Sequence, residues 1–188
     1  VPFFHNLGLL FGIFLPITAL EGKTYFLQTL QFLQKPTLWL RVLSDYQVRI
    51  TAGPNSAYAL FPNILTTQAA SEFNLSHVTY FMNGSEFVDP VTTRSFADLF
   101  GIRAEAFACG YGMAENVCLV TAANNNYQTL WVSEDALRRN RFVPCEPGQG
   151  KELVSLGEPV RGITMLAVDP ATGKPCEEDQ IGEMYIQG

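Results

Sequence analysis

Short apolar runs alternate with helical periods over the first 120 residues, and this alternation constrains the fold of the chain most strongly. It predicts helices over residues 7–20, 37–46, 56–65 and 90–100, and strands over residues 23–27, 48–52, 77–82 and 104–108. Strands that alternate with helices form parallel sheets, because each helix returns the chain to the same edge. The sequence therefore predicts an α/β fold built on a parallel sheet.

Three predicted strands are followed by loops rich in glycine or turn residues, at residues 53–55, 83–86 and 110–115. In parallel sheets ligands bind outside the carboxyl ends of the strands, where all three loops are expected to open. Glycines there allow a ligand to approach the backbone closely. Glu115, in the third loop, is a carboxylate suited to a hard cation. The sequence therefore predicts a binding site at this edge.

The texture changes after residue 120 to a polar stretch that starts with three asparagines, at residues 124–126. Two strand-like runs follow, at 162–168 and 182–187, with a turn at 169–173 between them. They predict a small antiparallel β unit with a long insertion ahead of it. The expected division is a βα part over residues 1–122, an insertion over 123–151 and a truncated β-barrel-like part over 152–188.

Composition narrows the classes of function. The chain has 188 residues, 47% of them hydrophobic and 16% charged, which is typical of a globular domain with a substantial core. A net charge of -6 with only 12 Lys and Arg argues against nucleic-acid and anionic-membrane partners. The four cysteines form no C-x-x-C pair, which indicates free thiols and a cytoplasmic location rather than a zinc site or disulfides.

The apolar opening VPFFHNLGLLFGIFLPITAL is the one stretch that could be read as a membrane span or a signal peptide. It lacks a basic start and a small-residue cleavage site, and it contains Pro2, His5, Asn6 and Pro16. A buried loop and helix fit it better. Since the chain begins without Met and stops directly after the strand-like run GEMYIQG, we expect it to be an internal fragment.

The segment GYGMAE, at residues 110–115, is the sharpest chemical signal. Tyr111 between two glycines can stack on a flat base while the backbone approaches it, and Glu115 can bind Mg²⁺ held by phosphates. An ordinary strand-to-helix turn with a capping glutamate has the same pattern, so the segment alone leaves both interpretations open.

Resemblance to a known family favours the nucleotide-binding interpretation, because several further segments share it. GYGMAE resembles the adenine- and magnesium-contacting motif of the adenylate-forming superfamily, which includes acyl-CoA synthetases, luciferases and peptide-synthetase adenylation domains. PFFHNLGL, NGSE and GEMYIQG resemble that superfamily's acyl-pocket loop, adenine-side turn and strand before the hinge, in the right order. FLQKPTLWLRVLSDY, TAGPNSAY, NGSE and Ala114 resemble the fatty acyl-AMP ligases in particular.

The resemblance implies that ATP activates a fatty acid as an acyl-adenylate, with Mg²⁺ bound and pyrophosphate released. The acyl group would then pass to the phosphopantetheine of an acyl carrier protein, with polyketide or peptide synthase modules as possible fused partners. It implies catalytic roles for Glu115, as the Mg²⁺ ligand, and for His5, beside the acyl carboxylate. It assigns nucleotide contacts to Asn83, Gly84, Ser85, Gly110, Tyr111, Gly112, Met113 and Ala114, and substrate contacts to Phe4, His5, Gly53, Asn55 and Tyr58.

An acyl tunnel is one interpretation of the apolar residues Phe3, Leu7, Leu10, Phe11, Phe14, Tyr58 and Leu60. Each buried methylene is worth ~0.8 kcal/mol, so a tunnel rewards chain length. Helix faces packed on a sheet have the same pattern, and both interpretations remain open. His77 has no partner in sequence and is expected at the surface.

By the same resemblance, residues 124–151 are an insertion that hinders the use of coenzyme A and packs through Trp131, Leu137 and Phe142; a plain long loop is the alternative. Asn6, Ser85 and Asn116 depart from the family's usual residues. The chain lacks the phosphate loop with its lysine, the ribose-binding segment and the C-terminal lysine, so we expect it to be inactive alone. The competing hypotheses are an acyl-CoA synthetase of the same fold and a catalytically silent interaction module.

Overall fold

A five-stranded sheet is the framework of the computed structural model, which describes residues 3–20, 22–123 and 127–188. The strands are β1 (Ile50–Gly53), β2 (Tyr80–Asn83), β3 (Phe107–Tyr111), β4 (Thr121–Ala123), β5 (Thr129–Val132), β6 (Lys151–Val154), β7 (Glu158–Pro159), β8 (Thr164–Val168) and β9 (Glu183–Gln187). The main sheet has the order β1-β2-β3-β4-β7. Strands β1, β2 and β3 are parallel, whereas β4 and β7 are antiparallel to their neighbours. The predicted parallel sheet is confirmed, and it carries an antiparallel edge that was not predicted.

The helices are α1 (Asn6–Leu9), α2 (Thr29–Gln34), α3 (Thr37–Asp45), α4 (Asn55–Ile64), α5 (Thr67–Ala70), α6 (Pro90–Phe100) and α7 (Glu134–Leu137). The helices predicted over 37–46, 56–65 and 90–100 are confirmed as α3, α4 and α6. Helix α6 shows why: Asp89 accepts a hydrogen bond from Val91 N, Pro90 opens the first turn, and Gly101 ends the helix at φ 63°.

The N-terminal helix is present, but its geometry differs from the prediction. After α1 the backbone is π-helical over Leu10–Phe14 and again over Pro16–Leu20. Pro16 has no N–H to donate, so a regular α-helical ladder cannot pass through it. Across the described ranges, no helix combines the length and hydropathy that a membrane span requires.

The strand predicted over residues 23–27 is wrong, because that segment has no neighbouring strand to pair with. Aromatic contacts hold it instead: Tyr25 stacks on Tyr46 at 4.4 Å between ring centroids, and Phe26 meets Phe3 edge-on at 4.9 Å. Aromatic residues favour strands only where a pleated partner surface exists.

Three predicted strands begin two or three residues later than expected, at Ile50, Tyr80 and Phe107. The apolar residues before the first two ladders pack into the core instead: Val48 lies against it and Val78 is buried. Before the third ladder the chain makes a 3-10 turn at Ala104–Ala106. The apolar runs therefore predicted which residues are buried better than they predicted where the hydrogen-bonded strands begin.

Aromatic rings fill the core between the sheet and helices α3, α4 and α6. The fully buried rings are Tyr58, Phe61, Phe81, Phe96 and Phe107. Phe81 and Phe107, on neighbouring strands, stack at 5.1 Å. Tyr58 meets Phe81, Phe96 and Phe107 edge-on, and its hydroxyl donates to Met82 O at 2.8 Å. Tyr58 is therefore a core residue.

The C-terminal third contains two separate antiparallel pairs, β5 with β6 and β8 with β9. The second pair confirms the predicted small β unit, and Asp169 closes its turn by accepting a hydrogen bond from Ala171 N at 2.8 Å. In the predicted insertion Val132 and Ala136 are buried, Trp131 and Leu137 are half-buried, and Phe142 is 39% exposed. The first residues of that insertion, 124–126, lie outside the described residues.

Candidate functional site

The carboxyl ends of the three parallel strands bring the three predicted loops together. Gly53 of β1 is paired in register with Asn83 of β2, which is paired with Cys109 of β3. Beyond this row, Gly84 N donates to Gly53 O at 3.4 Å. A Cβ on Gly84 would lie 3.4 Å from Gly110 O, so the second and third loops are in direct contact.

Two asparagine side chains lock the first loop to the second. Asn83 is fully buried, and its Nδ2 donates to Asn55 Oδ1 at 3.3 Å. The same Asn55 oxygen accepts a bond from Asp89 N at 3.1 Å. Within the described ranges, Asn83 Oδ1 has no hydrogen-bond partner. Asn55 is half-buried, and its contact with substrate stays a prediction.

Glu86 fixes the turn at residues 83–86, a role that sequence reasoning missed. Its carboxylate accepts bonds from Ser56 N at 2.8 Å and from Ser56 Oγ at 3.0 Å. Ser56 lies in the first turn of α4, where a negative charge is stabilised by the helix dipole. Ser85, held between Asn83 and Glu86, is exposed and has φ 69°.

The third loop closes tightly on itself, which explains its glycines. Tyr111 N donates to Thr121 Oγ1 at 3.2 Å, and a Cβ on Gly110 would lie 2.7 Å from Thr121 O. A Cβ on Gly112 would overlap the carbonyl oxygen of Cys118. Only glycine fits such close approaches between backbone segments.

Tyr111 and Met113 form one wall of a pocket of about 420 Å³. Residues Glu183, Met184, Tyr185 and Ile186 of β9 form the other. The Tyr111 hydroxyl lies 4.0 Å from Met113 Sδ. A flat ring between two glycines, next to a polarizable sulfur, is a surface on which a planar base can stack.

Glu115 is exposed in a 3-10 turn at Ala114–Asn116. In the part of the chain that the structure describes, its carboxylate makes no ion pair, and no three His, Cys, Asp or Glu side chains cluster to form a metal cage. Mg²⁺ is usually held by one or two carboxylates together with substrate phosphates. A single free carboxylate beside a nucleotide surface fits that type of site.

A large, mainly apolar cavity of about 1280 Å³ opens beside the same edge. Phe3, Leu7, Phe11, Gly53 and Leu60 are among the predicted residues that line it, and Ser85 and Glu86 of the second loop line it too. Trp39, which the sequence reasoning did not single out, also lines the cavity. Its Nε1 donates to Thr51 Oγ1 at 3.0 Å, and its ring would lie 3.3 Å from a Cβ on Gly53.

The match to known families covers the whole chain, because the family described as AMP-binding enzyme matches residues 1–188. The chain belongs to the AMP-binding enzyme family. Among curated relatives in this family, it is 31% identical to the medium-chain-fatty-acid–acyl-carrier-protein ligase JamA of Moorena producens over 99% of its length. It is 29% identical to a 4-hydroxyphenylalkanoate adenylyltransferase of Mycobacterium marinum over 100% of its length. These matches span about a third of each relative, 33% and 31% respectively.

Solved structures of AMP-binding enzymes match the fold closely. A fatty acid AMP ligase from Legionella pneumophila superposes with a TM-score of 0.90 at 30% identity, covering 100% of this chain and 34% of that one. A fatty acyl-adenylate ligase from L. pneumophila, in complex with acyl adenylate and pyrophosphate, gives 0.90 at 31% identity and the same coverage. The internal-fragment expectation agrees with this coverage, and the predicted α/β fold is that of this family.

Of the remaining predicted residues, some line the cavity and others do not. His5 lines the cavity and caps α1, because its Nδ1 accepts a bond from Leu7 N at 3.2 Å. Phe4 is 92% exposed and does not line the cavity, and its contact with substrate stays a prediction. Tyr58 is fully buried and does not line the cavity, so for this residue the structure favours the packed helix face over the tunnel. His77 is half-buried, and its Nε2 lies 2.8 Å from Leu43 O, so it is not free at the surface as expected.

Proposed function

We propose that the protein carrying this chain uses ATP to activate a fatty acid as an acyl-adenylate, with release of pyrophosphate. The observation that carries the proposal is the adjacency of the large apolar cavity to the loop bearing Tyr111 and Glu115, at one edge of the sheet. Ser85 belongs to both, since it lines the cavity and its turn touches Gly110. An acid in the cavity and a nucleotide on the loop would therefore meet.

The cavity suits an alkyl chain. Burial of each methylene stabilises the complex by ~0.8 kcal/mol, so an apolar wall of Leu7, Phe11 and Leu60 favours long acids over short ones. His5 stands at the wall with Nδ1 already accepting the Leu7 N–H. A neutral imidazole then carries its proton on Nε2, which is free to donate to the acid carboxylate.

On the nucleotide side, the ring of Tyr111 would stack on adenine, with Met113 and Ala114 following it. Gly84, Ser85, Gly110 and Gly112 would border the base through their backbone. Asn83 would act indirectly, by holding that turn in place through Asn55. Glu115 would hold Mg²⁺, which when bound neutralises charge on the phosphate oxygens.

The reaction is an in-line displacement. A carboxylate oxygen of the fatty acid attacks the α-phosphorus of ATP, and the bond to the bridging oxygen breaks so that pyrophosphate leaves with the electron pair. The side chains described here form no covalent intermediate, so positioning and electrostatics supply the rate. We further propose that the phosphopantetheine thiol of an acyl carrier protein then attacks the acyl carbonyl carbon, forming a thioester while AMP leaves with the electron pair and the thiol proton is released. The carrier is a free-standing partner or part of a fused polyketide or peptide synthase.

The test is ATP–pyrophosphate exchange by the full-length protein with a ladder of fatty acids, and with a hydroxyphenylalkanoic acid for comparison. We expect exchange that grows with alkyl chain length, followed by transfer to holo-acyl carrier protein in competition with coenzyme A. Transfer to coenzyme A would assign an acyl-CoA synthetase. No exchange with any acid would reject the proposal in favour of a silent module.

A further inference from the structure

The loop that carries Glu115 ends in a strained turn at Val117. The Val117 backbone has φ 63° and ψ -58°, and Cys118 N donates to Asn116 O at 2.7 Å across it. This is a γ-turn with a positive central φ, a rare and strained conformation, and a β-branched residue tolerates positive φ poorly. Val117 is 69% exposed, so burial of its side chain does not offset the strain.

Two asparagine side chains hold the ends of this turn. Asn6 Nδ2 donates to Val117 O, and Asn116 Nδ2 donates to Leu119 O at 3.1 Å. The carbonyl of Cys118, brought inward by the turn, packs directly against Gly112. The structure therefore gives each asparagine a defined hydrogen bond to the turn.

Asn6 is fixed to the sheet through the helix it begins. The next residue of α1, Leu7, is buried against Met82 of β2 and Ala108 of β3, and Leu119 packs on the same cluster. Leu7 also lines the apolar cavity. One short helix therefore contacts both the cavity and the turn that follows Glu115.

We infer that Asn6 is a positioning residue: its amide holds the Val117 turn, sets the direction of Glu115, and couples the wall of the acid cavity to the magnesium site. This inference rests on the proposed function. Without the Asn6 donor, the turn is expected to relax toward negative φ at Val117. This change would reorient Glu115, which lies two residues before Val117. Glycine at position 117 adopts positive φ without strain, so it should keep the turn even without Asn6.

The test measures binding of Mg·ATP and of metal-free ATP to the full-length protein by calorimetry, with four variants beside the wild type. Asn6→Ala should weaken Mg·ATP binding about tenfold, a usual loss when the support of a metal ligand is removed, and leave metal-free ATP unchanged. Asn6→Gln, which keeps a donor, should lose less. Val117→Gly added to Asn6→Ala should restore most of the loss.

Asn63→Ala is the matched control, because Asn63 Nδ2 also donates to a backbone carbonyl, Ala59 O at 2.7 Å, on the exposed face of α4. It should change neither affinity. With α,β-methylene-ATP in place of ATP, so that no reaction occurs, a saturating fatty acid should tighten binding of the magnesium complex to the wild type but not to Asn6→Ala. An equal loss of both nucleotide forms, or no rescue by glycine, would overturn the inference.

Hydrogen–deuterium exchange without ligand separates the inference from the proposed function. Amides of residues 117–120 should exchange faster in Asn6→Ala and return to the wild-type rate in the Val117→Gly double variant. If these amides exchange deuterium at the wild-type rate in Asn6→Ala, the inference is overturned, even when the enzyme is active. A wild type that binds ATP without exchanging pyrophosphate would reject the proposed activity while leaving the role of Asn6 measurable.

Discussion

At the scale of single residues, substitution of Glu115 is expected to change activity without changing stability. Its carboxylate is exposed and makes no ion pair within the described part of the chain, so Glu115→Gln should leave the thermal midpoint unchanged. Pyrophosphate exchange should fall by roughly 100-fold or more, because a metal ligand acts on charge in the transition state. Glu72→Gln, another exposed glutamate, is the control for both measurements. Exchange at the wild-type rate in Glu115→Gln would remove Glu115 from the proposed site.

Cys109 gives the fold a dependence on alkaline pH. Burial in β3 raises the pKa of its thiol from 9.0 to about 12. Above pH 9 the unfolded chain releases this proton while the folded chain keeps it, so stability falls as the pH rises from 9 toward 12. The slope from this one group is at most ~1.4 kcal/mol per pH unit.

Urea unfolding of the wild type and of Cys109→Ala, at pH 8 and pH 10, measures that slope. The alanine variant should be less stable at pH 8, because a buried group has been removed, but it should lose less stability between the two pH values. Burial also raises the pKa of Cys118, which contributes equally to both proteins and cancels in the comparison. Identical pH dependence of the two proteins would show that Cys109 is not the group responsible.

At the scale of elements, the asparagine pair Asn55 and Asn83 joins the first two loops through a partly buried hydrogen bond. Asn55→Ala removes the acceptor of both Asn83 Nδ2 and Asp89 N. A buried donor left unpaired costs about 1–3 kcal/mol, so we expect a loss of about 2 kcal/mol in urea unfolding and weaker ATP binding through the loosened turn. Asn63→Ala breaks one exposed bond and should cost under about 0.5 kcal/mol. Equal losses for the two variants would contradict the proposed role of the pair.

The same scale shows what the sequence could predict. Helix α6 was predicted to the residue, because Pro90 and Gly101 mark its ends and its apolar spacing marks its buried face. The strand over 23–27 was not a strand, because ladder formation depends on a partner that the local pattern does not contain. Strand β7 has only two residues, too few for any period to be recognised.

The candidate site was predictable to a similar extent. The order of strands was enough to place the three loops at one edge, since parallel strands share the direction of their ends. The direction of individual side chains was not predictable: Tyr58 points into the core and Phe4 into solvent, although both lie beside residues that line the cavity. Sequence spacing gives neighbours along the chain, whereas Trp39 reaches the cavity, and Glu86 reaches Ser56, across the fold.

At the scale of the whole molecule, the insertion is attached to its surroundings on two sides. On one side its strand β5 pairs with β6, whose Glu152 lies just beyond the insertion and forms an ion pair with Arg94 of α6 at 2.8 Å. On the other side, Arg141 contacts Glu177 at 3.1 Å and Asp179 at 2.5 Å. Backbone bonds from Phe142 N to Asp179 O and from Ile181 N to Asn140 O run beside these ion pairs. The segment is therefore a fixed element rather than a plain long loop.

This attachment leads to a prediction about the thiol acceptor. If the insertion restricts the use of coenzyme A, deleting residues 124–151 from the full-length protein should raise acyl-CoA formation relative to transfer to the acyl carrier protein. Arg141→Ala should produce a smaller shift in the same direction, because it removes the two ion pairs and keeps the backbone bonds. High salt should shift the product ratio of the wild type part of the way toward that of Arg141→Ala, because salt screens exposed ion pairs. Arg139→Ala, an exposed arginine two residues away, is the control.

Fatty acid activation must be measured in the same proteins, because a deletion that disturbs β6 would lower both products together. The informative quantity is the ratio of acyl-CoA to acyl-carrier product at equal rates of pyrophosphate exchange. A ratio that stays constant in the deletion and in Arg141→Ala would mean that acceptor choice lies outside the insertion. A ratio that rises in both, and not in Arg139→Ala, would tie the choice to the anchored position of this segment.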